Sequence, residues 1–202
     1  MQFLIIHGSF GSPESNWFSW LRNELEATNQ TVLLPRFPVD DWNELTKRGE
    51  GSQSINQNLA NWLNVLSNLI NQIKTQPTCV VAHSIGPLFI LHAIEKYNIK
   101  FESGIFVAPF LTKLNKSWQI DSVNRSFYSN QFNWDQQKTS LPISYAIYSD
   151  NDPYVDTIFP QTFAQKLGSQ VINSKTGGHF NSEFGFTQFP LVFELCKTRI
   201  GK

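Results

Sequence analysis

Cys79-Val80-Val81-Ala82-His83-Ser84-Ile85-Gly86-Pro87-Leu88 is the stretch on which the fold turns. Residues 78–82 form a short apolar run of strand length, and residues 87–97 carry apolar positions at helical spacing. Between them stands Ala82-His83-Ser84-Ile85-Gly86, a Gly-x-Ser-x-Gly pattern with alanine in the first position. A serine on so tight a strand-to-helix turn lies in strained backbone. The residues two before and two after it pass close to each other, so both must be small. Ala82 adds one methyl group and Gly86 adds nothing. Pro87 falls in the first helical turn, where a missing N–H costs little. The positive end of the helix then faces the serine oxygen.

Outward from this turn, strands and helices alternate. Strands are expected at residues 3–6, 31–34, 78–82, 103–107, 143–149 and 169–173. Helices are expected at 16–28, 54–74, 87–97, 157–167 and 190–199, with 54–74 the longest apolar stripe. This alternation predicts a parallel sheet covered by helices on both faces, with right-handed crossovers. One segment departs from it. Residues 111–140 are rich in Asn, Gln and Ser, with Trp118, Phe127, Tyr128, Phe132 and Trp134 interspersed. A connection this long is often functional, and it reads as a short helical or irregular excursion over the strand ends, a small cap over the site.

A chain of 202 residues makes one domain, here residues 1–202. Sixteen basic and sixteen acidic residues cancel, and charged residues are only 16% against about 25% in an ordinary soluble domain. No basic field exists to hold a phosphate backbone, which excludes nucleic acid as the expected partner. Cys79 and Cys196 cannot make a disulfide framework and are expected to pack as small apolar groups. No apolar run reaches the roughly 20 residues of a membrane span. Residues 1–6 lack a basic start and read as a strand, not a signal peptide. The expectation is a soluble cytoplasmic protein with no membrane partner.

A serine becomes a nucleophile only when a base takes its proton, and the base needs a third group to fix its tautomer. The chain order Ser, acid, His is met at strand ends. Thr176-Gly177-Gly178-His179 follows the sixth strand and places a histidine in a loop freed by two glycines. His92 lies inside a helix and reads as a packed residue. Asp150, Asp152 and Asp156 all lie in the loop after the fifth strand, and any of them is in the right place. An oxyanion hole needs two backbone N–H groups. Ile85 supplies one, and the loop His7-Gly8-Ser9-Phe10 after the first strand supplies the other, from Ser9 or Phe10. His7 is expected to orient that loop. The chemistry requires no metal and no organic cofactor.

Together these pieces resemble the α/β-hydrolase superfamily, and within it the small serine hydrolases of the retinoblastoma-binding serine hydrolase and YdeN type. The resemblance rests on the first strand running into His7-Gly8, the helix bearing Trp17, the turn at Ser84, Val107-Ala108-Pro109, Asn151-Asp152-Pro153 and Gly178-His179-Phe180. It implies a reduced three-layer sandwich of about six parallel strands without a large lid. It further implies Ser84 as nucleophile, Asp152 as acid and His179 as base. The turn departs from the family pattern at Ala82, where glycine is usual, and at Pro87. The expected function is therefore a serine hydrolase of a small ester, thioester or amide. The low charge and many aromatic residues favour an uncharged acyl group. The competing expectation is a protein-binding module on a hydrolase scaffold, with the aromatic residues of Trp118–Trp134 as its surface.

Overall fold

Along β1 (Gln2–Ile6) the side chains divide between two cores: Leu4 and Ile6 face one way, Phe3 and Ile5 the other. All are fully buried, which is the pattern of a parallel strand covered on both faces. The computed structural model describes residues 1–129 and 131–201. The chain continues through α1 (Phe18–Ala27), β2 (Thr31–Leu33), α2 (Trp42–Arg48), α3 (Leu59–Ser67), α4 (Ile70–Thr75), β3 (Thr78–His83) and α5 (Gly86–Tyr97). It closes through β4 (Ser103–Val107), α6 (Trp118–Asn124), α7 (Trp134–Ser140), β5 (Ser144–Ser149), α8 (Ile158–Leu167), β6 (Gln170–Ser174) and α9 (Pro190–Lys197).

The six strands form one parallel sheet in the order β2-β1-β3-β4-β5-β6. Trp17, Phe18, Leu21 and Leu25 around α1 and Val192 and Cys196 of α9 cover one face. Trp62 and Leu66 of α3, the apolar residues Leu88–Leu91, Ala93 and Ile94 of α5, and Phe163 and Leu167 of α8 cover the other. This is the three-layer α/β-hydrolase sandwich. The chain runs outward from β1 to β2 and returns to β3 on the opposite side. The sheet's switch point therefore lies between β1 and β3, at the carboxyl ends where open α/β sheets hold their ligands.

Two local expectations change. Residues 54–74 are not one helix. Asn58 caps α3 by accepting the Asn61 N–H, and α3 and α4 are separate, with Asn68 and Leu69 between them. Ile55, counted in the apolar stripe, is 63% exposed, because residues 54–57 wrap around the Asp40 carboxylate instead of joining the helix. The helix α2 has no counterpart in the sequence reading. Only Leu45 of its seven residues is buried, so it shows no periodic stripe. The connection 111–140 holds α6 and α7. Phe127 packs on Trp62 and Phe89, and Phe132 on His92. Trp118, Tyr128 and Trp134 are half-buried. Cys79 and Cys196 are free and buried, and burial pushes the Cys79 thiol up to about 12. Among the described residues no helix is long and apolar enough to cross a membrane.

Candidate active site

Ser84 follows β3 directly, with φ at +61°, in the left-handed region that non-glycine residues seldom occupy. Its N–H donates to the Val107 carbonyl at 2.8 Å, which ties the turn to β4. A Cβ on Gly86 would lie 3.0 Å from Ile6 Cγ2 and 3.2 Å from Ala82 Cβ. A side chain at the second position would press on both, which glycine avoids, and the methyl of Ala82 fits at the first. Ile85 opens α5, where the first N–H groups have no intrahelical acceptor.

Three loops bring the other groups to this turn. His179 Nε2 lies 3.1 Å from Ser84 Oγ, and His179 Nδ1 lies 2.8 Å from Asp152 Oδ2. The other Asp152 oxygen accepts the N–H groups of Tyr154 at 2.9 Å and Val155 at 3.1 Å. An ionised carboxylate with these partners fixes the tautomer with hydrogen on Nδ1 and leaves Nε2 free to accept from the serine. The loop's other two aspartates are engaged elsewhere. Asp150 accepts from Asn173, and Asp156 pairs with Lys116 at 2.8 Å.

The histidine loop is held by four side chains from three segments. Asn151 Oδ1 accepts the N–H groups of Gly177 and Gly178, both at 2.9 Å. Ser149 Oγ donates to the Gly178 carbonyl, His83 Nε2–H to that of His179 at 2.8 Å, and Trp17 Nε1–H to that of Phe180 at 2.9 Å. Gly178 has φ at +51°, and the Phe184 ring occupies the space a side chain there would need. Sequence reading gave no role to Asn151, Ser149 or His83, whose partners lie 26 or more positions away.

Gly8 packs against Ser84 and His83. His7 is buried between Phe37 and Trp62. Its Nδ1–H donates to the Gly8 carbonyl at 2.8 Å, and its Nε2 accepts the Phe37 N–H at 3.1 Å. Burial holds its pKa down at about 4, so at neutral pH the ring orients this loop as an uncharged group. Ser9 and Phe10, the two expected donors, differ at the backbone. The Phe10 N–H donates to Gln57 Oε1 at 3.0 Å. The Ser9 N–H has no such acceptor among the described residues.

A cavity of about 210 Å³ opens on these groups. Ser84, His179 and Ser9 form its polar side, while Phe10, Trp42, Leu114, Ile120 and Tyr154 form its apolar walls. No Lys, Arg, Asp or Glu lines it. Leu114 and Ile120 come from the 111–140 connection, and Trp42 comes from α2, which the sequence did not connect with the site. A larger hollow of about 630 Å³ lies at the amino ends of the strands, among Thr78, Phe101 and Glu102, and contains neither Ser84 nor a histidine. Among the described residues no cluster of His, Cys, Asp and Glu is arranged to hold a metal ion.

Residues 3–198 match the protein-family model described as Serine hydrolase. The hydrolase YdeN of Bacillus subtilis is 28% identical over 203 residues, spanning 100% of this chain and 97% of YdeN. The crystal structure of the B. subtilis ydeN gene product superposes with a TM-score of 0.80 at 27% identity, covering 100% of this chain and 99% of that one. A YdeN-like hydrolase from Pectobacterium atrosepticum shares the fold, with a TM-score of 0.59 at 20% identity over 97% of this chain and 87% of that one.

Proposed function

The chain belongs to the serine hydrolase family, and from that premise we propose that it cleaves a small, uncharged carboxylic ester, thioester or amide through Ser84, His179 and Asp152. Ser84 Oγ attacks the carbonyl carbon while His179 Nε2 takes its proton. Asp152 stabilises the imidazolium that forms. The tetrahedral oxyanion is bound by the N–H groups of Ile85 and Ser9. The imidazolium then protonates the departing alcohol, thiol or amine, leaving an acyl group on Ser84. Water deprotonated by Nε2 attacks that acyl-enzyme, releases the acid and restores the serine.

The observation that carries this reading is the run of contacts from Asp152 through His179 to Ser84, 2.8 and 3.1 Å, beside a cavity with apolar walls. The uncharged walls favour an uncharged acyl arm, and Leu114 and Ile120 of the 111–140 connection form part of its pocket. A cavity of about 210 Å³ favours a short arm.

A p-nitrophenyl ester series from acetate to palmitate tests this, with Ser84→Ala beside the wild type. The expected result is a kcat/KM maximum at short chains and a loss of about 10⁴-fold or more in a folded Ser84→Ala protein. Turnover in Ser84→Ala within tenfold of wild type rules the assignment out.

A further inference from the structure

Gln57 and Asn124 have no part in the chemistry above, yet both side chains are fully buried beside it, at 0% exposure. Buried amides are expensive unless they are hydrogen-bonded, and apolar residues of the same volume would fill the space without that penalty. Their bonds do not serve their own elements. Gln57 Oε1 accepts the Phe10 N–H at 3.0 Å, 47 positions away. Asn124 Oδ1 accepts the Ser9 hydroxyl at 2.7 Å, 115 positions away, and Gln57 Nε2–H at 2.9 Å. Two consecutive residues of the loop after β1 are thus held by one joined pair of amides from two other segments. Phe10, where the pair grips the backbone, has φ at +54°. That conformation is unfavourable for phenylalanine and persists only when its surroundings impose it.

We propose that Gln57 and Asn124 are positioning residues that set the Ser9 N–H as an oxyanion donor. The inference rests on the reading of Ser84 as nucleophile. With the Phe10 N–H and the Ser9 hydroxyl both taken, the Ser9 N–H is the donor this loop leaves for a substrate. Gln57 is itself fixed from behind. The Asp40 carboxylate, paired with Arg48, gathers the Ser54 hydroxyl and the N–H groups of Ile55, Asn56 and Gln57. Asn124 sits at the end of α6 and accepts twice through Oδ1. The tie to the loop therefore uses its acceptor oxygen.

The test measures kcat and KM on a p-nitrophenyl ester, and the rate of fluorophosphonate reaction at Ser84. The proteins are wild type, Ser9→Ala, Gln57→Met, Asn124→Leu, Asn124→Asp and the Ser9→Ala/Asn124→Leu double variant. Ser9→Ala keeps the N–H, removes one oxygen from a loop and keeps the test valid if an amide variant fails to fold. Gln57→Met, Asn124→Leu and Ser9→Ala are expected to lower kcat about 10- to 100-fold, less than outright removal of an oxyanion donor. KM stays within about threefold and phosphonylation slows in parallel. The double variant is expected to be no worse than the poorer single one, because both changes break the same tie. Asn124→Asp, which keeps the acceptor, recovers at least tenfold of the Asn124→Leu loss. Wild-type kcat in Ser9→Ala, additive losses in the double variant, or losses confined to KM overturn the inference while leaving Ser84-dependent turnover intact. A wild-type protein with no Ser84-dependent turnover overturns both.

Discussion

Ser84 sits in backbone that disfavours any side chain, and it is held there by one strand hydrogen bond and by the close passage of Ala82 and Gly86. That passage leaves no room for a branched residue. Gly86→Val is expected to destabilise the protein by about 1–3 kcal/mol or more through overpacking against Ile6 and Ala82, read as a lower urea midpoint at unchanged m-value. The aspartates allow a second prediction. Asp152→Asn is expected to keep the fold and lower kcat by about 10³–10⁴-fold, as the loss of the tautomer-fixing carboxylate does in a serine triad. Asp150→Asn and Asp156→Asn are expected to stay within about threefold of wild type in the same ester assay. The elbow and the histidine were legible because their roles impose small residues and chain order on the sequence. The sorting of three aspartates in one loop was not legible from the residues alone. It depends on Asn173 and Lys116, whose proximity to Asp150 and Asp156 only the folded chain establishes.

At the scale of elements, the loop after β6 is a short length of backbone clamped from outside. Asn151 satisfies two of its N–H groups, and Asn151→Ala leaves both without that acceptor. The expected outcome is a loss of about 1–3 kcal/mol in urea unfolding, together with a fall in kcat as His179 loses its fixed place. Unchanged kcat in a protein destabilised to that extent would show that the clamp supports the fold and not the base. The six strands were legible within a residue or two, β1, β3 and β4 because buried parallel strands are continuous apolar runs. Two helical details were not. The stripe 54–74 hid a late start, since residues 54–57 follow a buried carboxylate and not a helix axis, and a break at Asn68 and Leu69. In turn, α2 was invisible because a single buried leucine carries no period. Both misread segments end at the site, α2 through Trp42 and the loop before α3 through Gln57.

The whole molecule carries a pH dependence set by its buried histidines. Burial depresses His7 to about 4, and burial together with the neighbouring His179 depresses His83 to about 3. Both stay uncharged in the folded state across the range where an unfolded histidine, near 6.5, takes up a proton. The unfolded chain therefore binds more protons below pH 6.5, and stability falls as pH drops. The loss begins near pH 6.5 and runs to about 4 for His7 and about 3 for His83. For His7 alone it amounts to roughly 3 kcal/mol. Thermal melts from pH 7.5 to 4 are expected to show Tm falling steadily below pH 6.5. A Tm independent of pH over that interval contradicts the buried, neutral assignment. Asp40 acts in the same direction at lower pH. Burial raises its carboxyl, but the hydrogen bonds from Ser54, Gln57, Ile55 and Asn56 outweigh that and hold it below its usual range. At this scale the sheet and its helical layers were legible in the alternation of patterns. The packing of the aromatic residues in 111–140 was not, because nothing in their spacing sets Phe127 against Trp62.

Intact-mass analysis of the purified protein after fluorophosphonate treatment, with Ser84→Ala in parallel and peptide mapping of the adduct, tests the central claim most directly. The account predicts a single phosphonyl adduct on the peptide containing Ser84, and none in the Ser84→Ala protein. A folded wild-type protein that remains unmodified, or an adduct mapped to another residue, would contradict it.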